Sequence, residues 1–270
     1  MNMENFFFAF GLTFLAGIST GIGGLFAFFS KRVNTSFLSA SLGLSAGVMI
    51  YVSFVEIIPK AFESLINVFG ESKGEIVTVL SFFAGIILIA IIDRFVPEAE
   101  NPHELKDVKE MDKKEHDENE RKKLMRMGLF SAAAIAIHNF PEGLATFVSA
   151  MEDPTLGISI AVAIAIHNVP EGIAVSVPLY YATGNRKKAL FFSFLSGLAE
   201  PLGALVGFFF LRWLFDDSVF GIVFAVVAGI MVYISLDELL PTAEKYGKHH
   251  VAIYGLISGM ALMAVSLLIF

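Results

Sequence analysis

The chain carries one twelve-residue motif twice: residues 134–145 read AIAIHNFPEGLA, and residues 163–174 read AIAIHNVPEGIA. Ten of the twelve positions are identical, and the two copies are 29 residues apart. In each copy a histidine precedes a glutamate by four positions, so the two side chains share one face of a helix. Each helix is therefore predicted to supply one nitrogen and one carboxylate ligand to a metal ion, through His138 and Glu142 and through His167 and Glu171.

These polar residues stand in a strongly apolar chain. Of its 270 residues, 56% are hydrophobic and 17% are charged, whereas a soluble domain has roughly 45–50% and about 25%. Apolar runs of a length that crosses a bilayer predict eight helices, at 6–29, 37–58, 75–95, 127–150, 156–181, 188–211, 218–241 and 251–270. We therefore expect an all-α polytopic membrane protein with a single transmembrane domain that covers residues 1–270.

The charged residues predict the orientation of this domain. Of the 45 charged residues, 18 lie in segment 96–126, which we expect to be a charged cytoplasmic loop between the third and fourth helices. If loops are assigned alternately to the two sides, 16 of the 19 Lys and Arg residues fall on the side of this loop. Because cytoplasmic loops carry the Lys and Arg excess, both termini are predicted to be extracytoplasmic.

Composition also excludes two classes of function. The formal net charge is −7 and no basic patch is interleaved with aromatic residues, so a nucleic-acid binder is not expected. The chain has no cysteine, which excludes disulfides, thiolate metal sites and cysteine nucleophiles. Any bound metal must therefore be held by nitrogen and oxygen ligands.

The two motifs are predicted to meet in the middle of the membrane. His138 and His167 each lie about 11 residues into spans that run in opposite directions, which at 1.5 Å per residue is ~17 Å deep, near the midplane. Pro141 and Pro170 have no N–H, so the fourth and fifth helices are predicted to kink there. A carbonyl freed at this depth requires a wet or ion-lined cavity.

Further acids lie within the spans or at their ends. Glu200 reaches the same midplane depth and is a candidate to complete the site. Glu56 and Glu238 share an E-x-x-P pattern in oppositely directed spans, which predicts an inverted repeat that relates helices 1–3 to helices 6–8. Glu56 should then face outward and Asp237 and Glu238 inward. For these three residues and for Asp93, the alternative of interfacial acids that cap helix ends stays open.

The charge of these residues indicates a cation as ligand. No basic residue lies in the interior of a predicted span, and an ionised carboxylate at the bilayer centre costs at least ~2.5 kcal/mol. One divalent ion would neutralise Glu142 and Glu171, and Glu200 adds a third negative charge. A di-iron bundle would carry Glu-x-x-His and an intramembrane metalloprotease H-E-x-x-H, and the order and spacing here match neither.

At these motifs the chain resembles the ZIP (Zrt/Irt-like) family of divalent-metal transporters, most of all its compact bacterial ZupT-type branch. The resemblance covers eight spans, outward termini, a variable loop after the third span and the paired motifs. It implies an elevator-like movement, a homodimer and two adjacent metal sites that share the glutamates. The implied ligands are His138, Glu142, His167 and Glu171 for the first site and Asn139, Asn168 and Glu200 for the second.

We therefore expect a transporter of the cell's inner or plasma membrane that carries Zn²⁺ into the cytoplasm and catalyses no covalent reaction. Imidazole and carboxylate ligands also suit Fe²⁺, Co²⁺, Mn²⁺ and Cd²⁺. The ion is predicted to enter past Glu56 and to leave toward Asp93, Asp237 and Glu238. A proton-coupled exporter stays open as an alternative, because a midplane site binds an ion from either side. A membrane-embedded metalloenzyme also stays open, and it would need an open coordination position with a general base beside it.

Overall fold

The computed structural model describes residues 3–29, 35–94, 118–211, 217–246 and 249–269, and these residues are helical almost throughout. The α-helices in these ranges are α1 (Met3–Phe29), α2 (Thr35–Val52), α3 (Ile58–Phe69), α4 (Glu71–Arg94), α5 (Glu118–Glu152), α6 (Pro154–Thr183), α7 (Arg186–Gly197), α8 (Ala199–Val206), α9 (Asp217–Ile234), α10 (Leu240–Tyr246) and α11 (His249–Ile269). Three π-helical turns continue α2, α8 and α9, at Ser53–Ile57, Gly207–Leu211 and Ser235–Leu239.

Seven described stretches are long and apolar enough to cross a membrane: Asn5–Leu25, Ser39–Phe69, Glu71–Ile92, Pro154–Val177, Arg186–Phe209, Ser218–Glu244 and His249–Leu268. This finding confirms a polytopic, all-helical membrane protein. Helix α5, which corresponds to the fourth predicted span, is not among the seven. Its first turns are charged and it carries the His-Asn-x-Pro-Glu motif, so hydropathy alone does not identify it. The total of eight spans and the outward termini stay predictions.

The helix ends differ from the predicted ends at two places. The second helix continues beyond residue 58 through the π-turn and α3 to Phe69, and Pro59, which has no N–H to donate, lies in the first turn of α3, which directly follows the π-turn. Gly70 alone then joins α3 to α4, in a conformation with φ 80° that favours glycine. Helix α5 begins at Glu118, so its first turns occupy part of the segment 96–126 that was expected to be a loop.

Prolines act differently in the two motif-bearing spans and in the sixth span, which carries Glu200. Helices α5 and α6 continue as α-helix through Pro141 and Pro170, and the kinks expected there stay predictions. The sixth span is interrupted at Leu198, three residues before Pro201, and a new helix begins at Ala199. Pro201 cannot donate to Gly197 O, and that carbonyl instead lies against Gly17 of α1. The interruption leaves Glu200 in the first turn of α8.

The helices form two bundles. Helices α1, α5, α6, α7 and α8 pack against one another and contain both motifs, and we call them the motif bundle. Helices α2, α3, α4, α9, α10 and α11 form the second group, which we call the supporting bundle. The two groups meet where α2 contacts α6, where α5 contacts α9 and where α6 contacts α11.

A seam of glycines holds α2 against α11 in the supporting bundle. A Cβ on Gly47 would lie 2.0 Å from Leu256 O, and one on Gly259 would lie 2.1 Å from Leu44 O. Gly43 and Gly255 make equivalent contacts with Ala252 O and Ala40 O. The pairs Gly43/Gly47 and Gly255/Gly259 thus serve packing within one chain, in the way that small residues permit close approach of membrane helices.

The two E-x-x-P segments have the same local structure. Each lies in a π-helical turn, and each turn begins with a serine whose hydroxyl donates to the carbonyl four residues earlier, Ser53 to Met49 O and Ser235 to Met231 O, both at 2.7 Å. Such π-turns are frequent at functional sites. Their correspondence is consistent with the inverted repeat, which stays a prediction.

Candidate metal centre

The first element of the centre is a contact between the two motifs. His167 on α6 and Glu142 on α5 are fully buried, and His167 Nε2 lies 3.0 Å from Glu142 Oε2. The histidine of the second motif therefore pairs with the glutamate of the first motif, across two different helices. This contact brings an imidazole and a carboxylate of the expected ligand set together inside the motif bundle.

The second element of the centre is a contact between Asn168, the asparagine of the second motif, and Glu200 of the sixth span. Asn168 Nδ2 donates to Glu200 Oε1 and to Ala16 O, the latter at 2.9 Å, and both residues are fully buried. Glu200 lies in the first turn of α8, where the partial positive charge of a helix N-terminus favours a carboxylate. The structure thus brings Glu200 to the motif residues, although it is 29 positions beyond Glu171.

The third element links Asn139 to Glu171. When the side-chain amide is oriented so that its NH₂ faces acceptors, Asn139 donates to Glu171 Oε2 at 3.2 Å and to Ile135 O at 3.0 Å. The other end of the amide then lies 3.5 Å from Thr20 Oγ1 of α1. Each motif asparagine therefore binds a glutamate carboxylate from another helix.

Two glycines of the motifs allow the helices to approach so closely. A Cβ on Gly143 would lie 2.1 Å from Glu200 O, and a Cβ on Gly172 would lie 1.8 Å from Thr20 O. Each of these glycines directly follows a motif glutamate. Glycine at these positions lets α8 and α1 come within backbone contact of the residues that carry the carboxylates.

The buried charge of the centre is negative. Among the described residues, the buried ionisable side chains are Glu142, Glu171, Glu200, Glu238 and His167, and none of these is a Lys or Arg. Three oxygens of the centre, Glu142 Oε1, Asn168 Oδ1 and Glu200 Oε2, are buried without a hydrogen-bond partner. Buried polar atoms normally have a hydrogen-bond partner, so these three oxygens are suited to coordinate a cation.

The described residues do not by themselves form a complete set of ligands. Within the described ranges, no group of three or more histidine or acidic side chains lies close enough together to hold one metal ion. His167 and Glu142 contact each other directly. Glu171 is bound by Asn139, and Glu200 is bound by Asn168. The side chain of His138 lies outside the described part of the structure, although its backbone belongs to α5.

The residues predicted to line the route lie apart from this centre. Glu56 is partly buried in its π-turn, within electrostatic reach of Lys60 and of Asp153, the N-cap of α6. In the other π-turn Glu238 is buried and Asp237 is exposed. The side chain of Asp93, at the end of α4, lies outside the described part of the structure.

Sequence analysis missed the contacts that surround the centre. Ser45 of α2 donates to His167 O at 3.4 Å, and Ser193 of α7 donates to Thr20 O at 2.8 Å and lies 3.2 Å from Gly172 O. Small hydroxyl residues in apolar helices are common, so the sequence offered little reason to select these. The adjacent hydroxyl residues Ser19 and Thr20 in the apolar first span were the available signal.

Comparison with known proteins is consistent with this arrangement. The family model described as "ZIP Zinc transporter" matches residues 6–125 and 97–267 of the chain. The protein named "Zinc transporter ZupT" of Chlorobium chlorochromatii (strain CaD3) is 64% identical over 267 residues, which is 99% of each protein. A protein of the same name from Clostridium perfringens is 60% identical over 279 residues, which covers 100% of this chain and 98% of that protein.

Proposed function

Because this chain belongs to the ZIP family of zinc transporters, we propose that it carries Zn²⁺ into the cytoplasm through the centre formed by His167, Glu142 and their neighbours. It is a transporter and not an enzyme. The observation that supports this route most directly is the burial of three carboxylates and one imidazole from three helices, with no buried Lys or Arg among the described residues. A mobile divalent cation offsets two of the three carboxylate charges.

The proposed ligand set combines the paired side chains of the centre with the remaining residues of the two motifs. The first ion is bound by Glu142 and His167 together with His138 and Glu171, and neutral imidazoles and carboxylates are suitable ligands for zinc. A second site uses Glu200 and the two asparagines. Asn168 has both N–H donors engaged by Ala16 O and Glu200, which leaves its unpartnered Oδ1 for the metal.

The route runs between the two π-turns. Zn²⁺ arrives past Glu56, whose partly buried carboxylate lies within electrostatic reach of Lys60 and of the carboxylate of Asp153. It leaves past Glu238 and Asp237, and then past Asp93 at the end of α4. The buried position of Glu238 supports a role along the route rather than as a solvated helix end.

Release requires that the motif bundle move against the supporting bundle. Every residue of the proposed centre lies on α5, α6 or α8, so the centre moves as one unit with the motif bundle. The supporting bundle contacts it near the metal ligands through Ser45, which donates to His167 O at 3.4 Å.

We further propose that the protein acts as a homodimer in the inner or plasma membrane and that Fe²⁺, Co²⁺, Mn²⁺ and Cd²⁺ also fit the centre. The mixed nitrogen and oxygen ligands support this wider set of metals. Among the helices of the supporting bundle, α4 exposes a row of large apolar side chains, among them Leu80, Phe83 and Ile87, to lipid or to a second copy.

Uptake by reconstituted vesicles tests this proposal. Purified protein is placed in proteoliposomes that contain a fluorescent zinc indicator, and Zn²⁺ is added outside with and without a proton gradient. The expected result is saturable accumulation of Zn²⁺ that the isosteric substitution Glu142→Gln removes. Movement of Zn²⁺ only against an opposing proton gradient would indicate the exporter instead, and equal fluxes in the two proteins would contradict the assigned centre.

A further inference from the structure

Helix α1 contributes no histidine, and its one acidic residue is Glu4, near its beginning, yet it touches both asparagines of the centre. Asn168 donates to Ala16 O at 2.9 Å, and the Asn139 amide lies 3.5 Å from Thr20 Oγ1. Residues 16 and 20 are four positions apart and share one face of the helix. One face of α1 therefore contacts the side chains that bind Glu200 and Glu171.

Thr20 differs from other threonines of the structure in the direction of its hydroxyl. Thr13, Thr78 and Thr146 each donate to the carbonyl four residues earlier in their own helix, at 3.0, 2.8 and 2.9 Å. That internal bond is the usual choice of a helical threonine. The Thr20 hydroxyl instead faces Asn139 on α5, and both side chains are fully buried.

The main chain of Thr20 is fixed as well. Its carbonyl accepts from Ser193 Oγ of α7 at 2.8 Å, and the same hydroxyl lies 3.2 Å from Gly172 O of α6. Gly172, which follows Glu171, packs directly against Thr20 O. The position of the Thr20 side chain relative to Asn139 and Glu171 is therefore set by three helices.

From these contacts we propose that Thr20 is a positioning residue of the metal centre, on the premise of the proposed zinc transport. Its hydroxyl donates to Asn139 Oδ1 and so turns the NH₂ of this amide toward Glu171 Oε2. The amide in turn holds the Glu171 carboxylate in one direction. Without the hydroxyl, Asn139 Oδ1 loses its donor inside the bundle, and only the bonds to Glu171 Oε2 and Ile135 O then hold the amide.

The substitution Thr20→Val tests this role, because valine keeps the shape of the side chain and removes the donor. We expect the KM for Zn²⁺ uptake to rise about 3- to 10-fold, the effect of losing one buried hydrogen bond, with little change in the maximal rate. Thr20→Ser keeps the hydroxyl and should restore the wild-type KM. Thr13→Val is the matched control, since it removes an equally buried hydroxyl of α1 that bonds only within its own helix.

Two measurements separate the possible outcomes. Thermal unfolding in detergent should show similar small losses for Thr20→Val and Thr13→Val, while KM changes only for Thr20→Val; should Thr20→Val fail to accumulate, Thr20→Ala takes its place. Equal KM values for the two variants, or no restoration by serine, would overturn the role of Thr20 alone. Absence of Zn²⁺ uptake by the wild-type protein would overturn the proposed function, and this inference with it.

Discussion

The motif bundle and the supporting bundle use the same packing device for different ends. In both, a glycine lets a neighbouring helix come within backbone contact, as Gly47 does with Leu256 and Gly172 with Thr20. Gly47 stands between the buried apolar residues Ala46 and Val48, whereas Gly172 directly follows Glu171. The comparison indicates that close packing in the supporting bundle joins helices at apolar residues, while in the motif bundle it also gathers three carboxylates in the interior.

The largest difference is expected when a carboxylate is neutralised in each region. Glu142→Gln removes a buried ligand but keeps its size, so Zn²⁺ uptake should fall to the level of empty vesicles while membrane insertion is unchanged. His138→Ala and Glu171→Ala should act in the same way. Radioactive ⁶⁵Zn²⁺ uptake measures this directly.

Glu244→Gln provides the control for that experiment. Glu244 lies on α10 of the supporting bundle, where its exposed side chain contacts exposed His249 at 2.7 Å. Exposed ion pairs contribute about 0–1 kcal/mol, so both uptake and stability should stay near wild type. Near-normal flux in Glu142→Gln, or a loss in Glu244→Gln equal to it, would contradict the division between the bundles.

Much of the metal centre in the motif bundle could be predicted from the sequence, because the spacing within each motif determines which side chains share a helix face. A His and a Glu four positions apart fix one helix face, and a repeated motif in neighbouring antiparallel spans predicts that the two faces meet. The structure agrees in that His167 of one copy pairs with Glu142 of the other. Glu200 was also predicted to join them from its depth in the sixth span, and it does contact Asn168.

Other features depend on contacts between distant residues and were not predictable. Asn168 donates to the main-chain carbonyl of Ala16. Every residue has such a carbonyl, so the residue type at position 16 does not reveal this contact. The helix breaks at Leu198, three residues before Pro201, whereas helix α5 continues through Pro141. Proline thus indicates where a donor is missing, but tertiary packing decides how the chain responds.

The second-largest effect is expected from adding a methyl group at one closely packed glycine of each bundle. A Cβ would meet Thr20 O at 1.8 Å in Gly172→Ala and Leu256 O at 2.0 Å in Gly47→Ala. Both substitutions should lower the free energy of unfolding by about 1–3 kcal/mol, because the helices must separate. Only Gly172→Ala should also raise the KM for Zn²⁺, since it displaces the helix that carries Glu171; equal KM values would refute that distinction.

A smaller effect is expected from acidification. Imidazole and carboxylate groups must lose their protons before they bind Zn²⁺, so lowering the pH from 7.5 to 5.5 should raise the KM at least about threefold. The apolar seam between α2 and α11 has no such groups, and the unfolding temperature should change little over this interval. Initial uptake rates and thermal unfolding at the same pH values measure the two quantities. A KM that is independent of pH would argue against the proposed ligands.

The smallest effect is expected at Gly11 of α1, a glycine that no neighbouring helix approaches closely. A Cβ there would meet no atom within 4 Å in this chain. Gly11→Ala should therefore raise stability by up to about 1 kcal/mol through helix propensity, with uptake unchanged. A loss of stability or uptake in this variant would indicate that another molecule, such as a second copy, covers this side of α1.

X-ray absorption at the zinc edge, recorded on the zinc-loaded protein, tests the metal centre most directly. The account predicts a first shell of nitrogen and oxygen only, at about 2.0–2.2 Å, with the outer-shell scattering of imidazole, and a reduced imidazole signal in His167→Ala. A zinc ion bound without imidazole, or a spectrum that His167→Ala leaves unchanged, would contradict it.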